Sequence, residues 1–177
     1  MPGNERAYSL YELLLTLTIA TIVLTIGLPS FSGTIARQRQ RVEIDALFHA
    51  IHLARKESIM RRRVVSLCPS ADGKRCNPGR DWSDGWLMFD NRDADEPPQV
   101  DDGEPVLTQH TVDRAVRVTA NRRGFTLRAT VKRATNGTFV VCDRAGRIRP
   151  KALVVSYTGR PRVASKQRSG EPYACAD

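Results

Sequence analysis

The chain has 177 residues, 41% of them hydrophobic, enough for one globular domain with a modest core plus one extra element and too few for a second full domain. Its net charge of +9 hides an asymmetry: residues 69–105 carry four Lys or Arg against ten Asp or Glu, a balance of −6, and residues 106–177 carry fifteen against four, a balance of +11. Such a basic block favours a polyanionic partner, nucleic acid or anionic lipid, while the absence of G-x-S-x-G and of a phosphate-binding glycine loop argues against an enzyme.

In chain order, residues 13–36 come first. They contain no charged side chain, and as a helix these 24 residues would extend roughly 36 Å, sufficient to cross a bilayer. A secretory signal peptide fits less well, because the preceding MPGNER is only weakly positive and no small-x-small cleavage site closes the run. One carboxylate, Glu12, stands at the edge of this stretch, where an acid must reach the headgroups or find a partner. The segment Ala7-Tyr8-Ser9-Leu10-Tyr11-Glu12-Leu13 resembles the class III signal of type IV pilins and pseudopilins. The resemblance implies that a prepilin peptidase cuts after Ala7, leaving Tyr8 as the new N-terminus and Glu12 as its fifth residue; Ala7 replaces the usual Gly, and Tyr8 the usual Phe. It also implies that Glu12 pairs with the α-ammonium group of a neighbouring subunit, and that Pro29, at the mature twenty-second position, loosens the helix in a filament. The expected organisation is a leader over 1–7, a transmembrane and filament-core helix over 8–36, and a soluble head over 37–177.

Past the apolar run, Ile44, Leu47, Ile51, Ala54 and Ser58 mark an i, i+3/i+4 stripe, so the same helix is expected to continue as an amphipathic rod. Strand patterns follow at 64–68, 85–90, 106–108, 115–119, 125–131, 138–142, 153–157 and 162–164, with Gly124, Asn136-Gly137, Gly146 and Gly159 as turn signals. The fold class is therefore α+β, a pilin-like long N-terminal helix packed on one or two antiparallel sheets. The acidic stretch 90–105 reads as a long exposed loop. Its DNRDADE run fails the calcium-loop spacing, since Arg92 takes the third position and no Gly the sixth. His49 and His52 lie three apart without a carboxylate partner nearby, and no Cys pair has zinc-site spacing, so no metal and no cofactor is expected. Four cysteines permit three disulfide pairings. Cys68–Cys76 around the turn-rich PSADGKR, with Cys142–Cys175 anchoring the polar tail, is preferred for a head outside the cytoplasm.

The basic surplus falls in Arg122-Arg123, Lys132-Arg133, Arg147, Arg149 and Lys151 of DRAGRIRPK, and Arg160, Arg162, Lys166 and Arg168 of SYTGRPRVASKQR. Arginines at alternate positions of an extended segment share one side, and Gly159 is expected to let the backbone turn close beside a ligand. Guanidinium forks suit phosphate oxygens, and phosphate contacts carry little base information, so affinity without sequence preference is expected. Together with the N-terminal signal, LCPS at 67–70, WSDGWLMF at 82–89, FVVCD at 139–143 and ALVVSYTGRPR at 152–162 resemble the GspH/FimT group of minor pseudopilins. Within that group, FimT-type minor pilins of naturally competent bacteria carry a C-terminal G-R-x-R motif associated with DNA uptake, matched here by Gly159, Arg160 and Arg162. The resemblance implies double-stranded DNA, other major and minor pilins, the prepilin peptidase and the inner membrane as partners, with a periplasmic head later carried on an extracellular pilus. Arg147, Arg149, Lys166 and Arg168 are added to the DNA surface by proximity and charge. The competing expectation is a structural subunit of a type IV pilus or a type II secretion pseudopilus that binds no DNA.

Overall fold

A computed structural model describes residues 9–129 and 134–175, apart from the side chains of residues 26–30. Ala7, Tyr8, Lys132 and Arg133 lie outside the described residues, as does the side chain of Pro29. Two compact units result, Met1–Ile35 and Ala36–Asp177.

One helix, α1, runs over Leu10–Arg61. Ser9 caps it: the Glu12 N–H donates to Ser9 Oγ at 3.3 Å, which places Glu12 in the first turn, where its charge complements the helix dipole. In the first unit the threonines bond back along the helix, Thr16 to the Leu13 carbonyl at 2.8 Å, Thr18 to Leu14 and Thr21 to Leu17 at 2.7 Å. Their polar groups are thus satisfied internally, and the surface left outside consists of exposed Leu, Ile and Val side chains such as Leu13, Leu17, Ile22 and Leu24. Among the described residues no helix is long and apolar enough to cross a membrane, a set that omits the side chains of 26–30 within the uncharged run.

In the second unit all five stripe residues are buried, Ile44, Leu47, Ile51, Ala54 and Ser58 being at most 3% exposed. Eight strands follow among the described residues: β1 (Val64–Pro69), β2 (Trp86–Asn91), β3 (Val106–His110), β4 (Val116–Ala120), β5 (Phe125–Leu127), β6 (Gly137–Asp143), β7 (Lys151–Val155) and β8 (Pro161–Ala164). Each of the eight expected strands is present close to its expected bounds, except that the one expected over 125–131 ends at Leu127, and residues 130–131 of that expectation lie outside the described residues. They form two four-stranded antiparallel sheets, ordered β3-β2-β1-β5 (sheet A) and β4-β6-β7-β8 (sheet B). One core joins the helix stripe to both sheets. At its centre Phe125 of sheet A stacks on Phe139 of sheet B with ring centroids 4.3 Å apart, and Trp82 meets Phe139 edge-on at 4.9 Å.

Two buried polar side chains fix the helix in register. Glu43 accepts from the Asp113 N–H at 3.0 Å and lies 2.8 Å from His110 Nε2, and Gln40 Nε2 donates to the carbonyls of Val141 and Arg149. Both expected disulfides form, Cys68–Cys76 and Cys142–Cys175.

The acidic stretch departs from the expectation of an exposed loop. Asp90 and Asn91 belong to β2 and are buried, Pro98 is buried against Gly124, and Val100 packs on Cys68, Leu87 and Phe89. A proline and a valine suffice to pin a chain segment whose charge alone suggests full solvation.

Ile51, wholly buried between helix and sheets, sets a test of this packing: Ile51→Ala is expected to cost about 2–5 kcal/mol, read as a lower denaturant midpoint at unchanged slope.

Candidate nucleic-acid interface

The residues Gly159, Arg160 and Arg162 lie on the hairpin between β7 and β8. Its turn is closed by the Gly159 N–H on the Ser156 carbonyl at 2.9 Å, the Ser156 N–H on the Arg160 carbonyl at 3.1 Å, and the Arg160 N–H on Ser156 Oγ at 3.2 Å. Gly159 has φ of +70°, which disfavours any side chain, and a Cβ there would stand 2.9 Å from Leu127 Cδ1 and 3.2 Å from Arg55 Nη1. The glycine therefore faces inward, against β5 and the helix, and not a ligand as expected. It is required so that the turn can sit tightly on the core and present the arginines outward.

Strand β8 is the edge of sheet B, and Arg162 pairs with Val154 of β7. The neighbouring Leu153 points into the core, so alternation puts Val154 and Arg162 on the opposite, outer face. Arg162 and Arg168 line one cavity of ≈ 410 Å³ with Tyr157, Gln167 and Tyr173. Lys166 bridges Pro172 at the root of the tail.

Arg147 and Arg149 are not brought to this hairpin. They follow β6, and because Gly137 pairs with Val155 and Val141 with Lys151, the 144–150 connection lies at the opposite end of the β6–β7 pair from the Gly159 turn. Arg147 is moreover clamped by Asp143, with Nη2 2.6 Å from Oδ1 and Nε 2.9 Å from Oδ2. That bidentate pair holds the Asp143 carboxyl below the usual carboxylate range and raises the Arg147 guanidinium in turn. Among the described residues no carboxylate forms an ion pair with Arg149, Arg160, Arg162 or Arg168.

The acidic segment does not neutralise them. Asp90 pairs with Arg63 and Arg92, and Glu96 with Arg128 at 2.9 Å, none of these in the 144–168 stretch. Asp93, Asp95 and Asp101 instead crowd one another, each bringing an oxygen within 4.8 Å of the others. Burial, followed by this mutual repulsion, raises the Asp95 and Asp101 carboxyls above their ordinary values.

Opposite shifts have opposite consequences for stability. A depressed carboxyl such as Asp143 stabilises the fold above the unfolded value near 4 and loses that contribution as pH falls through its lower folded value. A raised one such as Asp101 is fully accommodated below about pH 4 and becomes unfavourable as pH rises through its folded value. Thermal melts should accordingly show Asp143→Asn less stable than the parent at pH 7 and Asp101→Asn more stable, the first difference shrinking as pH falls below about 4 and the second already gone by the time pH has fallen to about 4.

The same combination of helix and paired sheets recurs in known proteins. A family model described as type II transport protein GspH matches residues 43–159. The type IV minor pilin FimU of Pseudomonas aeruginosa has a similar fold, with a TM-score of 0.53 and 19% identity over 77% of this chain and 99% of that one. The minor pseudopilin EpsH of the type 2 secretion system of Vibrio cholerae gives a TM-score of 0.51 and 9% identity, covering 71% of this chain and 96% of its own. The solution structure of GspH from E. coli gives 0.50 and 13%, over 73% and 89%. No curated protein sequence matches the chain.

Proposed function

Because the chain belongs to the GspH family of type II transport proteins, a family of minor pilins and pseudopilins, we propose that it is a minor type IV pilin that captures double-stranded DNA without sequence preference during natural transformation. The observation that carries this reading is the β7–β8 hairpin, where a buried glycine holds Arg160 and Arg162 outward beside an edge strand, with no carboxylate partner among the described residues. Their guanidinium groups, with Arg168 beyond them, are disposed for phosphate oxygens. A prepilin peptidase removes residues 1–7 ahead of Tyr8, the apolar half of α1 holds the chain in the inner membrane, and Glu12 and Pro29 then serve assembly in a filament with other major and minor pilins. The periplasmic head so enters an extracellular pilus, where several weak DNA contacts act together by avidity.

A second reading, a structural subunit of a type IV pilus or a type II secretion pseudopilus, draws on the family description and on α1 itself. Val42, Leu53, Ile59 and Met60 stay exposed on its outer side, a surface fitted to neighbouring helices.

Anisotropy titrations of the full-length chain in detergent micelles with unrelated duplexes, across a salt series, separate the two. DNA capture requires sequence-tolerant binding that weakens steeply with salt, and an Arg160→Ala/Arg162→Ala variant whose log–log salt slope is smaller by about 2, at roughly 0.9 per lost phosphate contact. Equal binding by parent and variant, or none at low salt, would leave the structural subunit as the function.

A further inference from the structure

The hairpin arginines occupy one edge of sheet B, and the outer face of that sheet continues away from them. Register places Thr138 of β6 beside Val154 and, beyond it, Arg162, while Arg117 of β4 pairs with Cys142 on the same outer face. The C-terminal tail crosses this face. It leaves β8 at Ala164, makes a small hairpin in which Lys166 bridges Pro172, and returns through Tyr173 to Cys175, which is bonded to Cys142. Beneath it lie two cavities. The one of ≈ 410 Å³ at the β8 side holds Arg162 and Arg168, and one of ≈ 700 Å³ at the β4 side holds Arg80 and Arg117; they share Thr138, Gln167 and Tyr173 as walls. Sheet and tail therefore border an open channel made of two adjoining clefts, one toward β4 and one toward β8, with Tyr173 in the wall they share.

We propose that this channel binds a single polynucleotide strand, with arginines at its two ends taking phosphates and the Tyr173 ring between them taking a base. The inference rests on the DNA reading above and extends it, since the hairpin alone meets only the outside of a duplex. Three features select the occupant. Four arginines face one acid, Asp81, a carboxyl that burial works to raise but that Ser83, Arg117 and Arg144 hold below its ordinary value, so the lining keeps a positive excess although Arg117 already has a partner. An aromatic ring stands in the shared wall, half-buried, and base stacking on such a ring tolerates any sequence. Finally, stacking on Tyr173 needs an unpaired base, which a single strand or a frayed end supplies and an intact duplex does not. The Cys142–Cys175 bridge forms the channel by fixing the far end of the tail, so the disulfide belongs to the binding surface as well as to the fold.

The test compares fluorescently labelled oligothymidylate with a duplex of equal length, titrated against the full-length chain in detergent micelles. Arg80→Ala/Arg117→Ala and Tyr173→Ala are each expected to weaken oligothymidylate binding about tenfold while duplex binding changes by less than about twofold, and Tyr173→Phe is expected to retain it. Arg80→Ala alone, on an exposed side chain, gives the same direction free of any effect on folding, which circular dichroism monitors in every variant. Oligothymidylate binding that all of these variants keep would overturn the channel, and if Arg160→Ala/Arg162→Ala still abolished duplex binding the proposed function would stand without it. A parent chain that binds neither DNA would overturn both.

Discussion

One stripe of one helix has to satisfy two sheets. Ile44, Leu47, Ile51 and Ala54 project from the same side of α1 into a core to which sheet A contributes Val65, Leu67, Met88 and Phe125 and sheet B Val118, Phe139, Val141 and Leu153. Neither sheet could bury its apolar face without that stripe, and the stripe has no other cover among the described residues. Gln40 and Glu43, buried beside it, add direction to what would otherwise be a non-directional contact: their hydrogen bonds to Val141, Arg149 and Asp113 are met at a single rotation and height of the helix. The placement of every surface feature of the head follows from this one fit.

The fit also separates charge. Asp90 of β2 and the acidic residues of the β2–β3 connection lie at the end of sheet A, where they engage Arg63, Arg92 and Arg128 or one another. The arginines of the β7–β8 hairpin lie at the edge of sheet B, and among the described residues no acid pairs with them. Opposite balances within one small head, −6 over residues 69–105 and +11 over 106–177, meet among the described residues only at contacts such as Glu96–Arg128 and Asp81 beside Arg117, because the chain lays the two stretches mostly on different sheets. A surface of that kind has a polar axis, and a polyanion approaching it is steered toward one side.

Much of this is legible in the sequence, and the remainder is hidden for physical reasons. The stripe of α1 and the eight strands follow from periodicity, which local chemistry writes directly into the chain. The cysteine pairing is reachable because a tight loop and a loose terminus leave few sensible partners. What periodicity does not convey is which residues a register makes neighbours. Arg80 and Arg117 meet the tail only because β4 pairs with β6 and Cys175 returns to Cys142, 33 residues along the chain. Gly159 reads correctly as a turn residue, but which side of the turn it serves depends on Leu127 and Arg55 beneath it, and these arrive only with the assembled core. Arg147 and Arg149 stand close to the hairpin in sequence, whereas the antiparallel β6–β7 pair carries them to its far end. Pro98 and Val100 show the converse, two apolar side chains outweighing the charges around them.

The second disulfide has a mechanical meaning. A tail attached only through β8 would transmit any pull on it to an edge strand, which can peel from its neighbour one hydrogen bond at a time. The Cys142–Cys175 link gives the same tail a covalent second anchorage on β6, an interior strand held on both sides by β4 and β7. Tension applied between the two attachments is shared between them, and the part reaching Cys142 loads interior strand pairs, not the edge alone. The segment from β8 to Cys175 is thus a closed loop, able to bear load without unravelling the sheet that supports it.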